Sequence, residues 1–132
     1  ALHATHTHTF RFSQVDVQDF ARVTGDTNPL HLDADFAAQT PFERPIIHGM
    51  LGASIFTKVL GTEFPGYGSV YTGQTLEFLR PMFVDTEYEV TFTVQSINPD
   101  KHSAEILGEI RDRQTGRITT RGIAMLIHRE KI

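Results

Sequence analysis

Residues 86–97, TEYEVTFTVQSI, alternate strictly, with Tyr88, Val90, Phe92 and Val94 on one face. A period of two marks a strand buried on one side. HATHTHTFRFS, residues 3–13, also alternates and is rich in Thr and Phe, so it predicts a first strand. Its His6 and His8 share one face, expected to look toward solvent. Three more segments read as strands: GSVYTGQTLEFLRP (68–81), which stops at Pro81, HSAEILGEIRD (102–112) and GRITTRGIAMLIHR (116–129). Asn98-Pro99-Asp100 and the run from Asp112 to Gly116 are turn compositions. Strands joined by such short turns are antiparallel neighbours.

The helical pattern lies between the first strand and the others. SQVDVQDFARVTG, residues 13–25, starts on a Ser, carries Val15, Phe20 and Val23, and stops at Gly25. Asn28 and Pro29 predict an N-cap and first position of a short helix, and Asp33 caps another turn. In GMLGASIFTKVLG, residues 49–61, the apolar Met50, Leu51, Ala53, Ile55, Phe56, Val59 and Leu60 surround most of the circumference. A helix apolar nearly all round is buried. Gly49 opens it, and Gly61 is placed to close it as a C′ residue. The expected fold is α+β, an antiparallel sheet of about five strands curled around one buried helix. The exposed sheet edge calls for a partner subunit, so at least a dimer is expected.

Composition narrows the class. The chain has 132 residues, 39% of them apolar, with ten Phe and no Cys. That fits one domain over residues 1–132 with a real core. No internal repeat, linker or low-complexity tract interrupts it. A formal net charge of −4 argues against a nucleic-acid partner. Without Cys there is no disulfide, thiolate zinc site or cysteine nucleophile. No apolar run approaches the roughly 20 residues of a membrane span. The polar start ALHATHTHTF lacks the apolar core of a signal peptide. A soluble, cytoplasmic protein without a membrane partner is expected.

TGDTNPLHLD, residues 24–33, sets an acid, Asp26, and an imidazole, His31, on either side of Asn28-Pro29. Each has a plain structural explanation: Asp after Gly is a common turn residue, Asn-Pro a common helix start, and a single His more often packs than reacts. Yet Pro29 fixes its own φ and restricts Asn28 before it, which makes a stiff bend. Such a bend can aim both side chains at one water. No G-x-S-x-G, H-E-x-x-H or glycine-rich dinucleotide loop is present, so the candidate chemistry is acid–base work on water. In ERPIIHGML, residues 43–51, Gly49 offers a backbone N–H at a helix start, where developing negative charge is favoured. Gly49 has a packing explanation as well, a close approach of helix to sheet, and so does His48 before it.

TGDTNPLH together with FERPIIHGML and GQTLEFLRPMF resembles the MaoC-like, or (R)-specific enoyl-CoA hydratase (hydratase 2), family over nearly the whole chain. The grouping Gly25-Asp26-x-Asn28-Pro29-x-His31 is far more specific than an isolated acid and histidine. The likeness is strongest to its short single-domain members. It implies a hot-dog fold and a hydro-lyase that converts trans-2-enoyl-CoA to (R)-3-hydroxyacyl-CoA and back, with no cofactor and no metal. The implied thioester carrier is CoA or acyl-carrier protein. The resemblance implies that Asp26 and His31 hold the reacting water, that Asn28 shapes the motif and lines the site, and that Gly49 N–H meets the thioester oxygen. Thr57 stands where the family often has Ser, with a hydroxyl expected to orient Asp26. Leu51, Phe56, Leu60 and Val70 are expected acyl walls or core, His48 a substrate contact, and Arg44, Lys58 and Arg80 candidates for the CoA pyrophosphate. Two rival readings remain: a hot-dog acyl-CoA thioesterase, which usually lacks this Asp-x-Asn-Pro-x-His grouping, and a non-catalytic acyl-CoA-binding module.

Overall fold

The computed structural model describes all 132 residues. Strand β1 (Thr5–Phe10) leads into four helices, α1 (Gln14–Thr24), α2 (Pro29–Leu32), α3 (Ala34–Ala38) and α4 (Gly49–Thr62). Strands β2 (Val70–Gln74), β3 (Glu77–Phe78), β4 (Tyr88–Asn98), β5 (Ser103–Asp112) and β6 (Ile118–Ile127) follow. They form one antiparallel sheet in the order β1-β4-β5-β6-β2, with the short β3 also paired to β6. This is the hot-dog arrangement expected, with the segment 68–81 divided into two strands. The division sits at Thr75, whose N–H donates to the Ile123 carbonyl and whose hydroxyl accepts from the Ile123 N–H. Opposite it, Gly122 lets the Thr75 carbonyl approach to 1.9 Å of where a Cβ would stand.

The core is the contact of α4 with the concave face of the sheet. Leu51, Ile55, Phe56, Val59 and Leu60 of α4 meet Tyr88, Val90, Phe92 and Val94 of β4, with Ile106 and Ile110 of β5 and Leu126 of β6. The period-two face of residues 86–97 is thus the inner face. Phe56 and Phe92 meet edge to face at 5.4 Å between centroids. Gly108 permits this, since a Cβ there would lie 2.9 Å from both rings. Each fully buried side chain of this size contributes about 1.5–3 kcal/mol.

Local signals set the helix ends. Ser13 and Asp16 form a reciprocal capping box at the start of α1, and Gly25 closes that helix at φ 81°. Asn28 and Asp33 cap α2 and α3 with their side chains. Three expectations are corrected. Val15 and Val23 of α1 are 62% and 72% exposed, and Val17 and Ala21 are buried instead. Residue 15 lies about 200° around the helix from residue 17, so only one of the two can face in. Gly61 does not end α4, which runs to Thr62 with Glu63 as its C-cap. His6 and His8 do not look to solvent: both are half-buried beside Glu63, 3.0 and 3.5 Å from its carboxylate, and His6 stacks on Phe64. Hydrogen bonds from Lys58 and then His6 hold the Glu63 carboxyl down at about 2. No helix is long and apolar enough to cross a membrane.

Candidate active site

Residues 24–30 form a chain of short-range caps. The Asp26 N–H donates to Thr24 Oγ1, the Asn28 N–H to Asp26 Oδ1, and the Leu30 N–H to Asn28 Oδ1. Asn28 spends its side chain on this cap, is exposed, and does not line the cleft described below. The bend leaves Asp26 exposed while His31, one turn into α2, is buried. His31 Nδ1–H donates to the Ile46 carbonyl at 2.7 Å. A carbonyl only accepts, so the proton is on Nδ1 and the lone pair of Nε2 is free for a proton from outside.

His48 lies beside this pair. Its ring stacks on His31 with centroids 3.9 Å apart and planes at 27°, and Phe20 packs on it at 4.8 Å. His48 Nε2–H donates to the backbone carbonyl of Asp26 at 3.0 Å, and its Nδ1 is buried without a partner. Polar atoms of Asp26, His31 and His48 come within 4.8 Å of one another. That span suits one water, since two hydrogen bonds of about 2.8 Å bridge it. It suits a metal less well. The lone pairs of two stacked imidazoles lie in near-parallel planes, and one nitrogen of each ring already holds a carbonyl.

These groups open into a cleft of about 810 Å³, lined by Asp26, His31, His48, Gly49, Arg80 and Thr120 among the apolar Phe20, Phe42, Ile46, Met50, Phe78, Leu79 and Met82. Gly49 is the first residue of α4, and its N–H has no partner in the chain. It therefore presents a free donor at the positive end of a 14-residue helix. A side chain at Gly49 would meet Phe78, whose Cε1 lies 2.9 Å from the position of a Cβ.

Other expected site residues fall elsewhere. Thr57 is on the exposed side of α4, outside the cleft and without a hydrogen bond to Asp26. Eight residues carry it about 12 Å along the helix from Gly49. Leu51, Phe56 and Leu60 belong to the core, and Val70, on β2, is 57% exposed; none lines this cleft. Lys58 is paired with Glu63, and the Arg44 guanidinium lies 3.7 Å above the Phe83 ring; neither lines the cleft. Of the three cations only Arg80 lines it, with Nη1 donating to the Ile118 carbonyl. Sequence reading missed the walls made by Phe20, Phe42, Met50, Phe78 and Met82. Phe78 and Leu79, 52% and 43% exposed, carried a signal in their adjacency, because two neighbouring strand residues cannot both face the core.

The profile of the MaoC like domain family matches residues 3–117. An (R)-specific enoyl-CoA hydratase from Aeromonas caviae is 44% identical over 122 residues, 92% of this chain and 85% of that protein. Among solved structures, the (R)-hydratase from A. caviae involved in PHA biosynthesis superposes with a TM-score of 0.93 at 41% identity, covering 97% of this chain and 96% of that one. The unliganded R-hydratase PhaJ1 from Pseudomonas aeruginosa gives 0.92 at 33% identity, covering 99% and 83%. Fold, motif and likeness along almost the full length agree, and the chain belongs to the MaoC-like domain family.

Proposed function

We infer that this protein hydrates trans-2-enoyl-CoA to (R)-3-hydroxyacyl-CoA and catalyses the reverse dehydration, as a hydro-lyase. The observation that carries this reading is the free Nε2 of His31 beside Asp26, in a cleft that also exposes the unpaired Gly49 N–H. The thioester carbonyl binds at Gly49, which polarises the conjugated double bond. His31 Nε2 takes a proton from water as the water oxygen bonds to the β-carbon. The π electrons move to the α-carbon and the thioester oxygen, where Gly49 N–H meets the charge. The proton taken from water is returned to the α-carbon through Asp26, so the pair ends as it began. The two groups share that proton during the reaction. The apolar walls of the cleft receive the acyl chain, and Arg80 at the cleft is the side chain suited to the CoA phosphates.

The same reading includes a homodimer with the site near the subunit junction and a cytoplasmic location for a chain without Cys. Support for the dimer comes from Met50, Phe78 and Leu79, which line the cleft yet are 58%, 52% and 43% exposed. Large apolar side chains grouped on a surface mark a contact face.

The test is hydration of crotonyl-CoA, followed by loss of enoyl absorbance, with the product offered to (R)- and (S)-specific dehydrogenases. An (R) product is expected. An (S) product overturns the stereochemical assignment, and release of free thiol in place of hydration turns the reading to a thioesterase.

A further inference from the structure

His48 occupies the N-cap position of α4 but does not cap it. Side chains at that position usually turn back to a helix N–H. His48 instead reaches across 22 residues to the Asp26 carbonyl and is 2% exposed. Its ring lies against His31 and Phe20. His48 lines the cleft through its ring, while its Nδ1 is buried and has no hydrogen-bond partner. An apolar ring would fill the same space and leave no buried nitrogen unpaired. What histidine supplies that phenylalanine does not is the Nε2–H held on the Asp26 carbonyl.

We propose that His48 is a positioning residue that sets the acid, the base and the backbone donor of the site from one buried side chain. Its Nε2–H fixes the main chain carrying Asp26. Its face fixes the plane of the His31 imidazole, whose other nitrogen is held by Ile46. Its own peptide bond leads directly to the Gly49 N–H. A displacement of His48 therefore moves all three groups relative to one another, and misplacement on the scale of 1 Å lowers turnover by about a hundredfold. The proposal rests on the reading of Asp26 and His31 as the reacting pair.

Two variants separate its parts. His48→Phe keeps a stacked ring and removes the donor. His48→Gln places an amide nitrogen where Nε2 stood and so keeps the donor. His48→Phe is expected to fold with an unchanged or higher thermal midpoint, to lose about tenfold or more in kcat, and to change KM by less than about threefold. His48→Gln is expected to recover a large part of that kcat. Nitrogen-15 spectra of the wild-type protein are expected to show His48 protonated on Nε2. Wild-type kcat in folded His48→Phe overturns the proposal, as does a His48→Gln variant no better than His48→Phe. If neither variant folds, the wild-type spectrum decides: protonation on Nε2 upholds the assignment and protonation on Nδ1 overturns it. Asp26→Asn and His31→Ala are measured beside them. Inactive pair variants with a fully active His48→Phe defeat only the positioning role. Fully active pair variants defeat the reading of the pair, and the proposal with it.

Discussion

Replacing Gly49 by proline removes one hydrogen-bond donor from the cleft and leaves the helix that carries it in place. Gly49 is the first residue of α4, where proline is tolerated because that N–H has no intrahelical partner. His48 before it has φ −53° and ψ 132°, close to the extended conformation that a residue preceding proline adopts. The new Cβ would stand 2.9 Å from Phe78 Cε1, but Phe78 is 52% exposed and has room to turn. Gly49→Ala carries the same Cβ with the N–H retained, so the difference between the two variants isolates the donor. Loss of one donor to a developing oxyanion lowers kcat by about 10²–10³-fold, or about 2.7–4 kcal/mol of transition-state stabilisation. Steady-state hydration of crotonyl-CoA by wild type, Gly49→Ala and Gly49→Pro measures it, with circular dichroism confirming that α4 survives. A folded Gly49→Pro that turns over as fast as Gly49→Ala would refute the placement of the thioester oxygen at this amide.

Asp26→Asn and His31→Ala should each lower hydration by about a hundredfold or more with the fold retained. The double variant should be little worse than the worse single, because both groups act on one water; full activity of either folded single variant in the same assay removes the pair. Sedimentation should give a dimer, and a stable, active monomer at low concentration would remove the apolar rim as an interface. Glu63 has a folded pKa of about 2 against an ordinary 4.5, set first by Lys58 and then by His6. Its contribution to stability is therefore complete above 4.5 and is lost as pH falls toward about 2. Thermal midpoints of the wild type should fall more steeply over that window than those of Glu63→Gln, and by less at high salt, where part-exposed ion pairs are screened; parallel curves would contradict the cluster.

Local chemistry determined a large part of this protein. The strict alternation through Tyr88, Val90, Phe92 and Val94 can bury only one face, and the all-round apolar run of α4 can only be a core helix. The caps at Ser13, Asn28 and Asp33 and the left-handed closure at Gly25 each join groups within four residues, so the sequence specifies them without reference to the fold. The same holds for the stiff bend between Asp26 and His31. Tertiary structure decided everything that depends on which surfaces meet. It turned His6 and His8 inward because Glu63, more than fifty residues away, lies beside them. It divided one expected strand where Thr75 crosses Gly122, and it put Thr57 on the exposed side of α4. It made the walls of the cleft from Phe20, Phe42, Phe78 and Met82, and it stacked His48 on His31 across seventeen residues of chain. A hydrogen bond within one turn is set by the residues that make it. A contact across the chain is set by the packing of α4 in the sheet, and no pattern of neighbours along the sequence carries that information.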